Sequence, residues 1–179
     1  SLVVTRILIS KILMKKFQKI KLVLTDVDGV LTDGGMYYTK EGDIMKRFFV
    51  RDGMGVNLLK RKGIPTIIIT KEKNIVTKRW SDNMNIEKLY QGITKKEDIL
   101  EEVCKNYDLQ TEEIMYIGDD INDLKLLKSV GLSAAPSDAS DDVIKLCDFT
   151  SKYRSGNGAF RELVDLILFT QNNKHKKSS

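Results

Sequence analysis

Histidine and cysteine are nearly absent from this chain: one His, at position 175 in a polar tail, and two Cys, at positions 104 and 147, with no C-x-x-C pair. A zinc site built from His and Cys needs three or four such ligands at short spacing, so that chemistry is excluded. The two thiols stand far apart among apolar neighbours (Val103; Leu146 and Phe149) and read as buried structural thiols in a reducing cytoplasm. Long apolar runs are lacking as well. Residues 1–14 are apolar but broken by Arg6 and Lys11, short of the ~20 uninterrupted residues a bilayer span requires. No small-residue cleavage site follows a clean apolar core either, so residues 1–20 read as a leader, helical or disordered, with no membrane partner.

Charge of either sign is not in large excess. Thirty Lys+Arg against 25 Asp+Glu leave a net +5, partly carried by the two ends (Lys11, Lys15, Lys16, Lys19, Lys21; Lys174, Lys176, Lys177). No basic stripe interleaved with aromatics is visible, so no nucleic-acid partner is expected, whereas a small anionic substrate suits a mild positive bias. An apolar fraction of 41% and a charged fraction of 31% are ordinary for a soluble globular protein. A length of 179 residues suffices for one domain, expected over residues 21–171 and followed by a polar tail, 172–179.

Against these absences stands Asp26-Val27-Asp28-Gly29-Val30-Leu31-Thr32-Asp33-Gly34, two carboxylates directly after the apolar run Leu22-Val23-Leu24. A strand that ends in D-x-D is a phosphoryl-transfer signal, because alternation sends Asp26 and Asp28 toward one side as the chain leaves the sheet. The calcium-loop pattern D-x-[DN]-x-[DN]-G fails here, since Val30 and Leu31 stand where ligands are required.

Residues 22–25, 66–69 and 114–117 are nearly continuous in aliphatic residues and predict buried parallel strands, with a fourth over 131–135. Helical patterns fall between them, over 52–61, 75–84, 96–107, 123–130 and 141–146. Strands alternating with helices predict an α/β three-layer sandwich around a Rossmann-like parallel sheet. Residues 34–49 read instead as a β-hairpin with a turn at Lys40-Glu41-Gly42-Asp43, too short for a cap domain. In such sheets ligands bind beyond the carboxyl ends of the strands, so Asp26, Thr70 and the Gly118-Asp119-Asp120-Ile121-Asn122-Asp123 segment are expected to converge.

Phosphate monoesters resist hydrolysis so strongly that a site needs a nucleophile, an acid and charge neutralisation together. Asp26 can attack phosphorus and Asp28 can shuttle the proton. An ionised Asp26 would repel the substrate, so a divalent cation, most suitably Mg²⁺, is expected on Asp26, the main-chain carbonyl of Asp28, and Asp119. Asp120, Asn122 and Asp123 then read as supporting or helix-capping residues, with Asp123 at the N-cap. Thr70 can donate to a phosphoryl oxygen and Lys96 can neutralise developing charge. Alone, each has a plain alternative, a helix cap and a solvated lysine; their order after D-x-D favours the site.

These residues resemble the haloacid dehalogenase superfamily of phosphohydrolases, in its capless branch. Within it the chain is similar to 3-deoxy-D-manno-octulosonate 8-phosphate phosphatases and to phosphatases of nine-carbon, sialic-type sugar acids, over about residues 21–171. Val50-Arg51-Asp52-Gly53 with Gly55, Tyr90-Gln91-Gly92 and Val130-Gly131-Leu132-Ser133 add to the match. The resemblance implies Mg²⁺, a sugar-acid phosphate substrate contacted by Gly29, Arg51, Lys71 and Glu72, and a homotetramer whose hairpins wall in neighbouring sites. Residues 156–162 look like the family's glycine-rich segment, with Ser155 where a glycine is usual. Lys71-Glu72 replaces the Gly-Arg common after the motif Thr in octulosonate phosphatases, and Glu72 is similar to the nine-carbon enzymes. A reading of another class is a non-catalytic oligomerisation domain of an acylneuraminate cytidylyltransferase; the presence of Asp26, Asp28, Thr70, Lys96 and Asp119 weighs against it. A phosphomutase or phosphonatase would need a larger cap.

Overall fold

Six parallel strands order the molecule. The computed structural model describes residues 11–175; the expectations for 1–10 and 176–179 lie outside the described residues. Helix α1 (Lys11–Lys19) leads into β1 (Leu22–Thr25), a hairpin of β2 (Tyr37–Thr39) and β3 (Gly42–Met45), then α2 (Val50–Arg61) and β4 (Thr66–Ile69). There follow α3 (Ile75–Met84), β5 (Lys88–Tyr90), α4 (Asp98–Tyr107), β6 (Ile114–Ile117), α5 (Leu124–Ser129), β7 (Leu132–Ala135), α6 (Asp141–Leu146), β8 (Phe149–Thr150) and α7 (Ala159–His175).

The sheet order is β5-β4-β1-β6-β7-β8, with Val23 beside Thr66 on one side and Met115 on the other. The chain builds outward from β1 to β5, then crosses back to β6 on the opposite side of β1. Beyond β1 and β6 the strand order reverses, and a crevice opens there in folds of this kind.

Alternation divides the aliphatic runs between two cores. Val23, Ile68, Met115 and Ile117 pack with Phe17 of α1, Val56 and Leu59 of α2, and Phe160, Leu163 and Val164 of α7. Leu22, Leu24, Ile67, Ile69 and Tyr116 face the other way, onto Leu100 and Val103 of α4, Leu126 and Leu127 of α5, and Val143 of α6. Every residue of β1, β4, β6 and β7 is buried, which is why these strands read as unbroken apolar runs. The expected three layers are present. Phe17 and Ile20, ahead of the expected start at Lys21, are fully buried, and α7 runs on past Gln171.

Three differences from the sequence reading have physical causes. The edge strands β5 and β8 are three and two residues long and only half-buried, so they carry no apolar run. The hairpin's second strand ends at Met45, where the chain turns inward and Phe48 pairs with Thr32. Helix α4 begins at Asp98, leaving Lys96 in the turn before it. Among the described residues no helix is long and apolar enough to cross a membrane. Cys104 and Cys147 are free and half-buried, and burial pushes the Cys147 thiol up to about 12.

Candidate active site

Asp26 is the first residue beyond β1 and is 6% exposed. Its amide donates to Ile117 O at 3.1 Å, extending the ladder to β6 by one rung. Its Oδ1 accepts from Val27 N at 2.7 Å, and its Oδ2 lies 2.9 Å from Lys96 Nζ. The chain then coils: the amides of Val30, Leu31 and Thr32 all donate to Val27 O at 3.2, 2.9 and 3.0 Å. That coil gives Asp28 a different partner. Lys46 Nζ donates to Asp28 Oδ1 and Oδ2, 2.7 Å to each, and Thr32 Oγ1 donates to Oδ1 at 3.3 Å.

Thr70 is the first residue beyond β4 and is 2% exposed. Its amide donates to Tyr90 O, its hydroxyl accepts from Glu72 N at 3.4 Å, and its carbonyl accepts from Ile93 N at 3.1 Å. The last bond ties the loop carrying Lys96 to the end of β4. The Lys96 ammonium, 1% exposed, also donates to Asp123 Oδ1 at 2.7 Å and to Tyr116 Oη at 3.3 Å.

Asp123 stands at the N-cap position of α5, as expected, but its side chain makes no cap bond to that helix and is instead the hub of this arrangement. Fully buried, it accepts from Lys96, from the Tyr116 hydroxyl, and from the amides of Asp119 (2.9 Å) and Asp120 (3.2 Å). A buried carboxylate is tolerable only with such donors. Asp120 caps the short 3-10 turn Ile121–Asp123 that precedes α5, its side chain accepting from Ile121 N at 2.8 Å.

Oxygens of Asp26, Asp119 and Asp123 lie within 4.8 Å of one another. Burial first, then Asp123, push the Asp26 carboxyl up to about 7 against the pull of Lys96. Burial together with Asp26, Asp123 and Asp120 pushes Asp119 up to about 8. Burial opposes the charge on Lys96, but Asp26 and Asp123 outweigh it and raise its pKa. One ammonium therefore faces three crowded carboxylates, and Asp123 is already fully engaged. Asp26 and Asp119 are left as hard oxygen donors short of positive charge, a set that fits a divalent cation such as Mg²⁺.

Comparison with known proteins bears on this constellation. A family model described as haloacid dehalogenase-like hydrolase matches residues 57–163. The 3-deoxy-D-manno-octulosonate 8-phosphate phosphatase KdsC of Escherichia coli strain B / BL21-DE3 is 35% identical over 163 residues, covering 91% of this chain and 87% of that one. The chain belongs to the haloacid dehalogenase-like hydrolases. The corresponding phosphatase of Moraxella catarrhalis, solved in complex with magnesium ion, phosphate ion and KDO molecule, superposes with a TM-score of 0.86 at 35% identity, over 89% of this chain and 92% of that one. A hydrolase of subfamily III A from Legionella pneumophila gives 0.89 at 38% identity, over 94% and 93%.

Within this hydrolase, not every expected contact residue joins the carboxylates. Gly29 does: with φ at +82° it lies directly under Asp119. Glu72 is half-buried next to Thr70, while Lys71, Asp120 and Asn122 are exposed. Arg51 stands apart from the carboxylates. It lines a separate cavity of ≈ 440 Å³ with Phe49, Lys152, Tyr153, Asn157 and Arg161, whose walls include none of Asp26, Asp28, Thr70, Lys96 or Asp119. Arg51 is the second residue of α2, and its cavity is walled on the other side by Arg161 and Asp165 of α7. The residue the sequence reading missed is Lys46. A lysine beside Arg47 at the end of a charged hairpin looks solvated, yet its side chain is 1% exposed.

Proposed function

We propose that this hydrolase is a Mg²⁺-dependent phosphatase of 2-keto-3-deoxy sugar-acid phosphates, of the 3-deoxy-D-manno-octulosonate 8-phosphate type. The observation that carries the reading is the division of the D-x-D pair between two cations, Asp26 on Lys96 and Asp28 on Lys46. A nucleophile and a proton shuttle need different environments, and this pair has them.

In this reading an Asp26 oxygen attacks phosphorus; the P–O bond to the sugar breaks, and its electron pair leaves on the sugar oxygen, which takes a proton from Asp28. Water then attacks the aspartyl-phosphate while giving a proton to Asp28, the P–O bond to Asp26 breaks, and inorganic phosphate departs. Mg²⁺, when bound by Asp26, Asp119 and the Asp28 carbonyl, supplies charge neutralisation for the incoming phosphate. Lys96 faces Asp26 and can neutralise the transferring group, and the Thr70 hydroxyl at the end of β4 can donate to one of its oxygens.

The hairpin adds to the proposal. Met36, Tyr37, Tyr38 and Met45 are 42%, 45%, 63% and 51% exposed on an insertion too small to cap the crevice. Such a face supports a homotetramer in which hairpins of neighbouring subunits enclose each site; light scattering on the purified chain tests it, and a monomer at working concentration would remove it. A cytoplasmic location goes with this reading. Glu72 beside Thr70 favours a second substrate reading, a nine-carbon sugar-acid 9-phosphate.

The deciding experiment is phosphate release from the eight- and nine-carbon esters, side by side, with Mg²⁺. One of them is expected to give kcat/KM above about 10⁴ M⁻¹s⁻¹, with Asp26→Asn inactive and still folded. No release from either ester would overturn the proposal.

A further inference from the structure

The structure assigns Lys46 as the positioning residue of Asp28, and the assignment rests on the phosphatase reading above. Three observations converge on it. The Lys46 ammonium sits 2.7 Å from each Asp28 oxygen, so it straddles the carboxylate rather than touching one corner. Its side chain is 1% exposed while that of Asp28 is 24% exposed. The cation is therefore enclosed, while the carboxylate it grips stays partly open to solvent. The segment carrying Lys46 is itself fixed just past the lysine: Phe48 pairs with Thr32 and stacks on Trp80 at 4.6 Å, and Arg47 Nη1 donates to Gly156 O at 2.9 Å.

Burying an ammonium is costly, and an apolar side chain of the same length would fill the space at less expense in desolvation. The fold keeps the lysine where its ammonium meets the side chain of one acid/base group, Asp28. An aspartate side chain has several accessible rotamers, and a shuttle that acts as acid in one half-reaction and base in the next must return to one place. A two-point grip selects that place. When one Asp28 oxygen carries the proton, the other still accepts from Lys46, so the side chain is held through both half-reactions.

Leaving-group chemistry separates this role from others. A sugar alkoxide needs the proton from Asp28, whereas p-nitrophenolate leaves readily without it, and kcat/KM reports steps only up to loss of the leaving group. Lys46→Met is expected to lower kcat/KM for the sugar-acid phosphate about 10–100-fold through kcat, with KM nearly unchanged. On p-nitrophenyl phosphate the same variant should stay within about threefold of wild type, and Lys46→Arg should restore most of the loss on the sugar ester. An equal loss on both esters, a rise in KM with kcat intact, or no loss at all would overturn the assignment. A crystal structure of Lys46→Met gives an independent readout: an Asp28 carboxylate still in its present place would also overturn it. If wild type cleaves p-nitrophenyl phosphate but neither sugar-acid ester, the substrate proposal fails alone. The same ratio, taken on any alkyl phosphate it does cleave, still decides Lys46.

Discussion

The carboxylate of Asp119 rests on the bare Cα of Gly29. A Cβ at Gly29 would stand 1.9 Å from Asp119 Oδ2 and 2.6 Å from its Cγ. The D-x-D loop and the acidic loop after β6 thus meet with no side chain between them, and this contact sets where Asp119 can offer its oxygens.

Gly29→Ala is therefore expected to damage the site more than the fold. The φ of +82° costs an alanine about 1–2 kcal/mol, a modest loss for a domain. The clash has no such mild outcome, because Asp119 must leave the cluster it shares with Asp26. Activity should fall by more than ~100-fold while the melting temperature drops only a few degrees. Activity near wild type would show that Asp119 is not needed where it now sits.

Asp119→Asn should reverse its effect on stability with the metal. In chelator the variant is expected to be as stable as wild type or more so, because it removes one of three crowded carboxylates, itself half-buried. With Mg²⁺ at about 100 times its dissociation constant, wild type should gain about 2.7 kcal/mol and the variant far less. Thermal unfolding with and without Mg²⁺ checks both halves; equal stabilisation of the two proteins would take Asp119 out of the ligand set.

Tyr116→Phe tests how firmly the hub holds Lys96. The phenol is fully buried, donates to Asp123 and accepts from Lys96 at 3.3 Å. Its loss should cost about 1.5–3 kcal/mol, the range for hydrogen bonds to charged groups. Lys96 keeps Asp26 and Asp123 as partners, so kcat should fall less than about tenfold. A drop beyond ~1000-fold in steady-state rate would give the phenol a direct part in the chemistry.

The buried middle of the sheet and the gathering of carboxylates beyond it were legible for one reason. Runs such as Leu22-Val23-Leu24 and Thr66–Ile69 are buried on both faces, and burial on both faces writes itself as unbroken aliphatic sequence. Asp26 and Asp119 follow the ends of such runs, so the meeting of their carboxylates could be read from topology. What escaped is decided by contacts between distant segments. Nothing local to Lys46 tells that its ammonium is folded under Asp28, 18 residues away. The run Asp119-Asp120-Ile121-Asn122-Asp123 offers several carboxylates with no periodicity to say which one turns inward; packing against Tyr116 and Lys96 chooses Asp123. Arg51 shares a motif with Asp52 and Gly53, yet α2 places it on another cavity.

Asp52 makes the last prediction, one of pH. The carboxyl is fully buried on α2 against the start of α7, where Oδ1 accepts from Arg161 N at 2.9 Å and Oδ2 has no partner among the described residues. Burial pushes its pKa from 3.8 up to about 6, against the pull of the Arg161 and Gly158 amides and the Arg161 charge. In the folded chain the proton is held more tightly than in the unfolded one, so stability from this group is complete below about pH 4 and is lost as pH rises to about 6. Two pH units correspond to about 3 kcal/mol at most. Asp52→Asn keeps the acceptor for Arg161 N but cannot ionise; its amide leaves an unpaired donor costing about 1–3 kcal/mol at every pH. The absolute difference between the two proteins is thus small near neutrality, but its slope is fixed in sign. Urea unfolding at pH 4, 5, 6 and 7 should show the variant gaining on wild type through this window and then levelling off. A difference that stays flat from pH 4 to 7 would mean that Asp52 is ionised throughout in the folded protein.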